Sequence, residues 1–378
     1  MKFTTDMKTF RAGLAFAGKV ILPKSPIPIA LCVKIVTNDN RVTITGTNFD
    51  TSFEMNVAAD VETEGVTVIS FAALNAFCAA AKTESLTIEA DKDRATVKAG
   101  KSRITIASMD QRDFPNYLPA EGELATIDGP TFCAALRFCA ASCSDEEARY
   151  YLQGVYAQPG SEALDLWATD GHALHHAAIA DLPNIGGGGI VPAEAATIIC
   201  TIGEKASDFA IMVSDRGWHV RAGALRAWGK VIDGTFPDAK RLVAGFKGSR
   251  DVISIGNAEL AAALTVATCG ADTSANKARS LIVKAKDGEP LVVRGARGAS
   301  GIIAAGRAET ETRAVAEAAC AVSSALLTRA LSAMQADDVI LSAGQDVLRL
   351  RPSQESAVVS SEAIVMCMRA TPEEMADA

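Results

Sequence analysis

Met1–Ala17 reads MKFTTDMKTFRAGLAFA, Ala125–Ala141 reads ATIDGPTFCAALRFCAA, and Val252–Thr268 reads VISIGNAELAAALTVAT. Each stretch opens with a short alternating strand, breaks at a polar turn, and continues with apolar residues at helical spacing. Asp6, Asp128 and Asn257 fall in the break. There a side-chain oxygen can accept from the free N–H groups of a first helical turn. Three such openings in a chain of 378 residues predict a threefold repeat.

The rest of each repeat follows in the same order. A strand pair is expected over Leu31–Phe53, Gly154–Ala177 and Leu281–Ala304. A second helix is expected over Phe71–Ala81, Ala193–Ile202 and Ser323–Met334. Two more strands close each unit, over Leu86–Ile106, Phe209–Val231 and Val339–Val359. The first two units end in matching turns, Asp113-Phe114-Pro115-Asn116 and Thr235-Phe236-Pro237-Asp238. The expected domains are 1–122, 123–249 and 250–378, each of the α+β class with two helices on antiparallel sheets. Three similar units can form an arc, and two arcs joined head to tail close a ring.

Composition narrows the function. Hydrophobic residues make up 49% and charged residues 22%, which argues for packed cores and against disorder. No apolar run reaches the roughly 18 residues that span a bilayer. Met1-Lys2-Phe3-Thr4 does not open a signal peptide, so a cytoplasmic protein is expected. The net charge of −8 disfavours tight binding through many phosphate contacts. Nine cysteines without a CxxC pair read as buried, reduced thiols. Gly186–Gly189 lacks the Lys-Ser/Thr of a phosphate loop and reads as a flexible loop.

Enzyme chemistry finds little support. Asp170, His172, His175 and His176 form the one candidate metal cluster, the basis for an alternative reading as a metal-dependent enzyme. Adjacent His175 and His176 would point to opposite faces of a strand. No second ligand group at metal spacing accompanies them. Motifs for a serine hydrolase, a zinc protease or a P-loop are missing, so no catalytic residue, metal or cofactor is expected.

Five motifs carry a resemblance along essentially the whole chain. They are Met1-Lys2-Phe3-Thr4, Arg149-Tyr150-Tyr151-Leu152-Gln153-Gly154, Ala168-Thr169-Asp170-Gly171-His172, Val231-Ile232-Asp233-Gly234-Thr235-Phe236-Pro237-Asp238 and Met366-Cys367-Met368-Arg369. In order and spacing the chain resembles the beta subunit of bacterial DNA polymerase III, the sliding clamp. The resemblance implies a dimeric ring of six similar domains, with helices lining the hole and sheets outside. Such a ring is not an enzyme. It is loaded on primed DNA by an ATP-driven clamp loader, slides along the duplex, and holds its polymerase by a peptide.

The resemblance also implies sites. A peptide groove between the second and third domains would be walled by Leu152, Thr169, Gly171, His172, Leu174, Pro237, Arg241, Leu242, Val365, Met366, Met368 and Arg369. DNA contact would fall to Lys24, Arg149, Tyr150 and Tyr151, with Lys8, Arg11 and Arg137 as weaker candidates. Helix Glu259–Thr268 offers no basic residue, so the lining looks weakly cationic. Arg103, Ile104 and Ile106 would meet Thr268 and Cys269 of the other subunit.

The chain departs from the family at several groove positions. Cys367 replaces a proline, Ala370 a leucine, Ala173 an arginine and Leu326 a tyrosine. The family's chains stop where this one continues as Thr371–Ala378. Glu373, Glu374 and Asp377 make that tail acidic, and it is expected to cover or modulate the groove. These departures also fit a diverged phage, plasmid or resistance paralogue with different partners.

Overall fold

Lys2–Asp6 forms a strand and Met7–Val20 a helix, α1, in the order that the spacing predicts. Asp6 caps α1, its carboxylate accepting from Thr9 N at 2.8 Å. Met7, Phe10, Leu14, Ala17 and Val20 form the buried stripe, while Lys8, Arg11 and Lys19 stay in solvent. Burying each large apolar side chain contributes about 1.5–3 kcal/mol, which outweighs the weak propensity of a short helix.

The computed structural model describes residues 1–182, 185–246, 249–269, 280–295, 307–344, 346–354 and 356–369. These residues make two compact units. The first comprises Met1–Cys133, Pro183–Gly189 and Thr197–Val231; the second comprises Ala134–Leu182, Ile190–Ala196 and Ile232–Ala378.

The first unit is built on one antiparallel sheet. Its main path runs Ser102–Ala107, Arg94–Ala99, Ser85–Ala90, Lys2–Asp6, Thr51–Thr63, Leu225–Gly229, Gly217–Ala222, Phe209–Ser214 and Ala125–Thr126, and Arg41–Thr47, Cys32–Asn38 and Gly65–Ser70 branch from Thr51–Thr63 in that order. The long strand Thr51–Thr63 makes this continuity possible. One end pairs with Leu225–Gly229 and the other with Lys2–Asp6. Helix α2, Phe71–Ala80, packs with α1 over a core that includes Phe3, Phe10, Leu14, Ile44 and Leu74.

Helices α3, Gly129–Ala140, and α4, Ala193–Gly203, belong to the middle repeat. Asp128 accepts from Thr131 N at 3.0 Å at the start of α3.

The second unit has its own antiparallel sheet. Its order is Gly189–Pro192, Gly154–Pro159, Ala163–Thr169, Ala173–Ala180, Val359–Met368, Ala318–Ser323, Ser280–Ala285, Pro290–Gly295 and Arg307–Arg313. Val347–Pro352 joins through Val359–Met368 and leads on to Asp338–Ala343 and Arg250–Gly256. Its other helices are α5, Ala239–Gly245, α6, Asn257–Thr268, and α7, Ser324–Ala333.

Several expectations need correction. The strand pairs are triplets, such as Ser85–Ala90, Arg94–Ala99 and Ser102–Ala107. Asn257 does not cap α6, because Gly256 holds that position without a side-chain bond. Asn257 instead donates through Nδ2 to the Leu331, Met334 and Ala336 carbonyls, tying α6 to the end of α7. Cys269 is exposed, and Cys143 and Cys367 are half-buried, so the thiols are not uniformly core residues. Gly189 opens a strand instead of continuing the glycine loop. The expected strand residues 296–304 lie outside the described residues.

Candidate functional site

In the second unit, Ala173–Ala180 pairs with Val359–Met368, with Leu174 opposite Ile364 and Ala173 opposite Val365. Met366 N donates to His172 O at 2.9 Å, extending the seam by one residue. On the other side, Val347 pairs with Met366. Leu152, Trp167, Leu174, Phe236, Val347 and Ile364 form one buried cluster at this seam. Helix α5 lies against it through Ala239, Val243 and Phe246. Asp238 caps α5, accepting from Arg241 N at 3.0 Å, and Arg349 donates to Val243 O.

Three apolar side chains remain exposed beside this cluster. Leu242 on α5 is 48% exposed, and Met366 and Met368 are each 37% exposed. Residues two apart share a strand face, so both methionines stand on the Ile364 side. Flexible thioethers and a leucine beside a buried apolar floor suit a binding slot for apolar side chains. Arg241 and Arg369, each next in sequence to one of these apolar residues, are exposed as well.

A charged cluster supports its floor. His176 stacks on Trp167 with centroids 3.7 Å apart. Its Nε2 donates to Asp165 at 2.8 Å, and Glu362 stands 3.6 Å from Nδ1. Burial alone would depress its pKa, but Asp165 and Glu362 outweigh burial and raise it. Lys240 of α5 also binds Asp165, at 2.6 Å. Burial pushes the Asp165 carboxyl up, but His176 and Lys240 bring it below its ordinary range. The adjacent His175 is the opposite case. It is buried, donates from Nδ1 to Phe138 O at 2.7 Å, and burial drives its pKa to about 4.

The turn Thr169–His172 forms one lip. Asp170 Oδ1 accepts from His172 N and Ala173 N, each at 2.8 Å. Arg329 of α7 pairs with its other oxygen. Gly171 has φ +88°, and a Cβ there would stand 2.5 Å from Arg149 Nη1. The positive φ therefore favours glycine, while the Arg149 side chain could swing aside.

The structure thus gathers most of the expected groove residues. Leu152 and Leu174 are floor, and Thr169, Gly171 and His172 form the turn. Pro237 precedes α5, Arg241 and Leu242 ride on it, and Met366, Met368 and Arg369 end the long strand. Val365 is fully buried and points to the face opposite Ile364. Ala370 and the Thr371–Ala378 tail lie outside the described residues.

The expected DNA contacts are less gathered. Lys24 is exposed in the coil after α1. Tyr150 and Tyr151 sit in the 3-10 helix Glu147–Leu152, edge to face with centroids 5.8 Å apart. Arg149 is tied to Glu146, which neutralises part of its charge. Among the expected interface residues, Arg103 is exposed, Ile104 half-buried and Ile106 buried on the edge strand Ser102–Ala107. Thr268 and Cys269 bond back to Thr265 O at the end of α6.

Sequence reasoning missed Trp167, Phe236, Val347 and Ile364 as floor, and Asp165, His176, Lys240 and Arg329 as supports. It also missed α5. Asp238 followed by Ala239, Val243 and Phe246 carries a cap and helical spacing that could have shown it.

Residues 1–118 match the family described as DNA polymerase III beta subunit, N-terminal domain. Residues 126–238 match its central domain. The Beta sliding clamp of Caulobacter vibrioides is 28% identical over 316 residues, covering 78% of this chain and 81% of that protein. That of Micrococcus luteus is 24% identical over 248 residues, covering 64% and 80%. The DNA polymerase III subunit beta of Pseudomonas aeruginosa has the same fold, with a TM-score of 0.88 at 19% identity over 98% of this chain and all of that one. The same similarity holds for a Pseudomonas aeruginosa clamp crystallised with griselimycin. With the two family matches spanning well over half of its length, this chain belongs to the DNA polymerase III beta subunits, the sliding clamps.

Proposed function

We propose that the chain encircles duplex DNA as part of a ring and tethers the replicative polymerase and other partners through the groove of its second unit. It is an accessory subunit and not a catalyst. The observation that carries this reading is the exposed apolar trio Leu242, Met366 and Met368 beside a buried floor, with exposed Arg241 and Arg369 next to them in sequence. Partner peptides would insert apolar side chains there and place a polar anchor at the rim.

The chain divides functionally into clamp domains 1–122, 123–249 and 250–378, and two chains close the ring head to tail. Each sheet ends in an edge strand, a place where another chain can pair. Ser102–Ala107 exposes Arg103, and Arg307–Arg313 exposes Arg307, Glu309, Glu311 and Arg313. Pairing these edges between subunits would let Arg103 meet Glu309 or Glu311, with Thr268 and Cys269 nearby. DNA would meet Lys24, Arg149, Tyr150, Tyr151 and the basic face of α1. The α6 carboxylate Glu259 is occupied, accepting from Glu311 N, Thr312 N and Thr312 Oγ1. A clamp loader would open the ring in the cytoplasm. Among the described residues no helix is long and apolar enough to cross a membrane.

Cys367 between the two mouth methionines favours a second reading, a paralogue with an altered partner set. The histidines do not favour a metal enzyme: His175 and His176 face opposite sides, each with its own partners. The groove is tested by fluorescence anisotropy with a fluorescein-labelled apolar heptapeptide carrying one glutamine. Saturable binding that Met366→Asp abolishes is expected; equal affinity for wild type and variant contradicts the assignment.

A further inference from the structure

Cys320 and Cys367 stand on neighbouring antiparallel strands, where Ala321 pairs with Met368 and Val322 with Cys367. Residues two apart share a face, so both thiols lie on one side of the sheet at diagonal positions. Their side chains are close enough to perturb one another. Cys320 is buried and Cys367 half-buried. Cys367 also lies between Met366 and Met368, which point to the opposite face into the slot.

We propose that these two thiols are an oxidative modification site: a hydroperoxide converts them to a disulfide that reshapes the groove and weakens partner binding. The binding half of this proposal rests on the groove reading above.

The chemistry assigns each sulfur a part. The thiolate is the nucleophile, and Cys367 is the more exposed of the two thiols. Its neighbour Cys320 lowers the Cys367 pKa, against the effect of burial. Cys367 and burial together raise that of Cys320. Cys367 therefore attacks the peroxide oxygen, giving a sulfenic acid and one water. The Cys320 sulfur then attacks the sulfenic sulfur, releasing a second water. Two thiols and one hydrogen peroxide become one disulfide and two waters. A thiol reductant reverses the bond by exchange.

The bond cannot form without moving backbone. Diagonal strand positions stand roughly 7–8 Å apart at Cα, beyond the roughly 4.4–6.8 Å span of a disulfide. Closure draws Cys367 toward Ala318–Ser323. The same segment holds the groove through Met366 N to His172 O and Cys367 N to Asp346 O. Both bonds and the two methionines must shift with it.

The test treats the purified full chain with hydrogen peroxide and then with dithiothreitol. Peptide mapping by mass spectrometry reads the linkage, and the labelled heptapeptide reads the groove. Oxidation should yield a Cys320–Cys367 crosslink and weaken peptide binding about tenfold, both reversed by dithiothreitol. Cys320→Ala should bind the peptide like reduced wild type and keep that affinity in peroxide. A map without this crosslink overturns the proposal, as does a crosslink that leaves affinity unchanged. If reduced wild type fails to bind the peptide, the groove reading falls and the affinity half falls with it. The crosslink map, which uses wild type alone, still decides the thiol chemistry.

Discussion

Replacing Asp165 by asparagine removes one charge beneath the groove and keeps the side-chain shape. Asp165 accepts from His176 Nε2 at 2.8 Å and from Lys240 Nζ at 2.6 Å. Hydrogen bonds to charged groups contribute about 1.5–3 kcal/mol, and breaking a buried ion pair from one side costs about 3–5 kcal/mol. Two features reduce the loss here. His176 keeps Glu362, and Lys240 is half-exposed and regains water. The expected cost is about 2 kcal/mol, or roughly 4–8 °C of Tm for a unit of this size.

The pH dependence separates this mechanism from a simple packing defect. The pKa of His176 is raised in the fold, so its contribution is complete below 6.5 and is lost as pH rises through the folded value. The pKa of Asp165 is lowered, so its contribution is present above 3.8 and is lost as pH falls through the folded value. The gap in Tm between wild type and Asp165→Asn should be widest between pH 3.8 and 6.5 and narrow above it. Differential scanning fluorimetry across a pH series measures it. A gap that stays constant from acid to alkaline pH would refute the imidazolium–carboxylate cluster. The variant should also weaken peptide binding, because Lys240 precedes Arg241 and Leu242 on α5.

Other outcomes follow from single contacts. Leu242→Asp should abolish peptide binding while changing stability by only about 0.5 kcal/mol, because the side chain is half-exposed; anisotropy and urea melts check both halves. Asn257→Ala removes three bonds to backbone carbonyls and should cost about 1–3 kcal/mol, read from the same melts. Arg103→Glu should shift light scattering from dimer toward monomer mass, since it would place like charges across the two edge strands.

The repeated helices were legible because their signals are local. Asp6 before an apolar stripe, and Asp128 before another, state where a helix starts and which face it buries. Asn257 misled because residue type alone does not fix the cap; the helix begins at that residue, one position later than a cap would stand. Helix α5 was missed because it is short and follows directly on the Thr235–Asp238 turn. The triplets were read as pairs because the spacing of apolar residues does not show where one strand bends into the next.

The groove lip at Thr169–His172 was visible through its motif. Its supports were not, because they come from far along the chain: Arg329 reaches Asp170 across 159 positions. His176 shows the same limit. Its alternation with His175 placed them on opposite faces, but opposite charge states depend on Phe138 O for one and on Asp165 and Glu362 for the other.

The most direct measurement concerns enclosure. Labelled clamp is loaded onto nicked circular DNA by its cognate loader, and the circle is then cut once. A ring that holds DNA by topology should survive on the circle through gel filtration and leave from the free ends after cutting. Retention on the linear product would show that the protein grips DNA by contact and would contradict the sliding clamp.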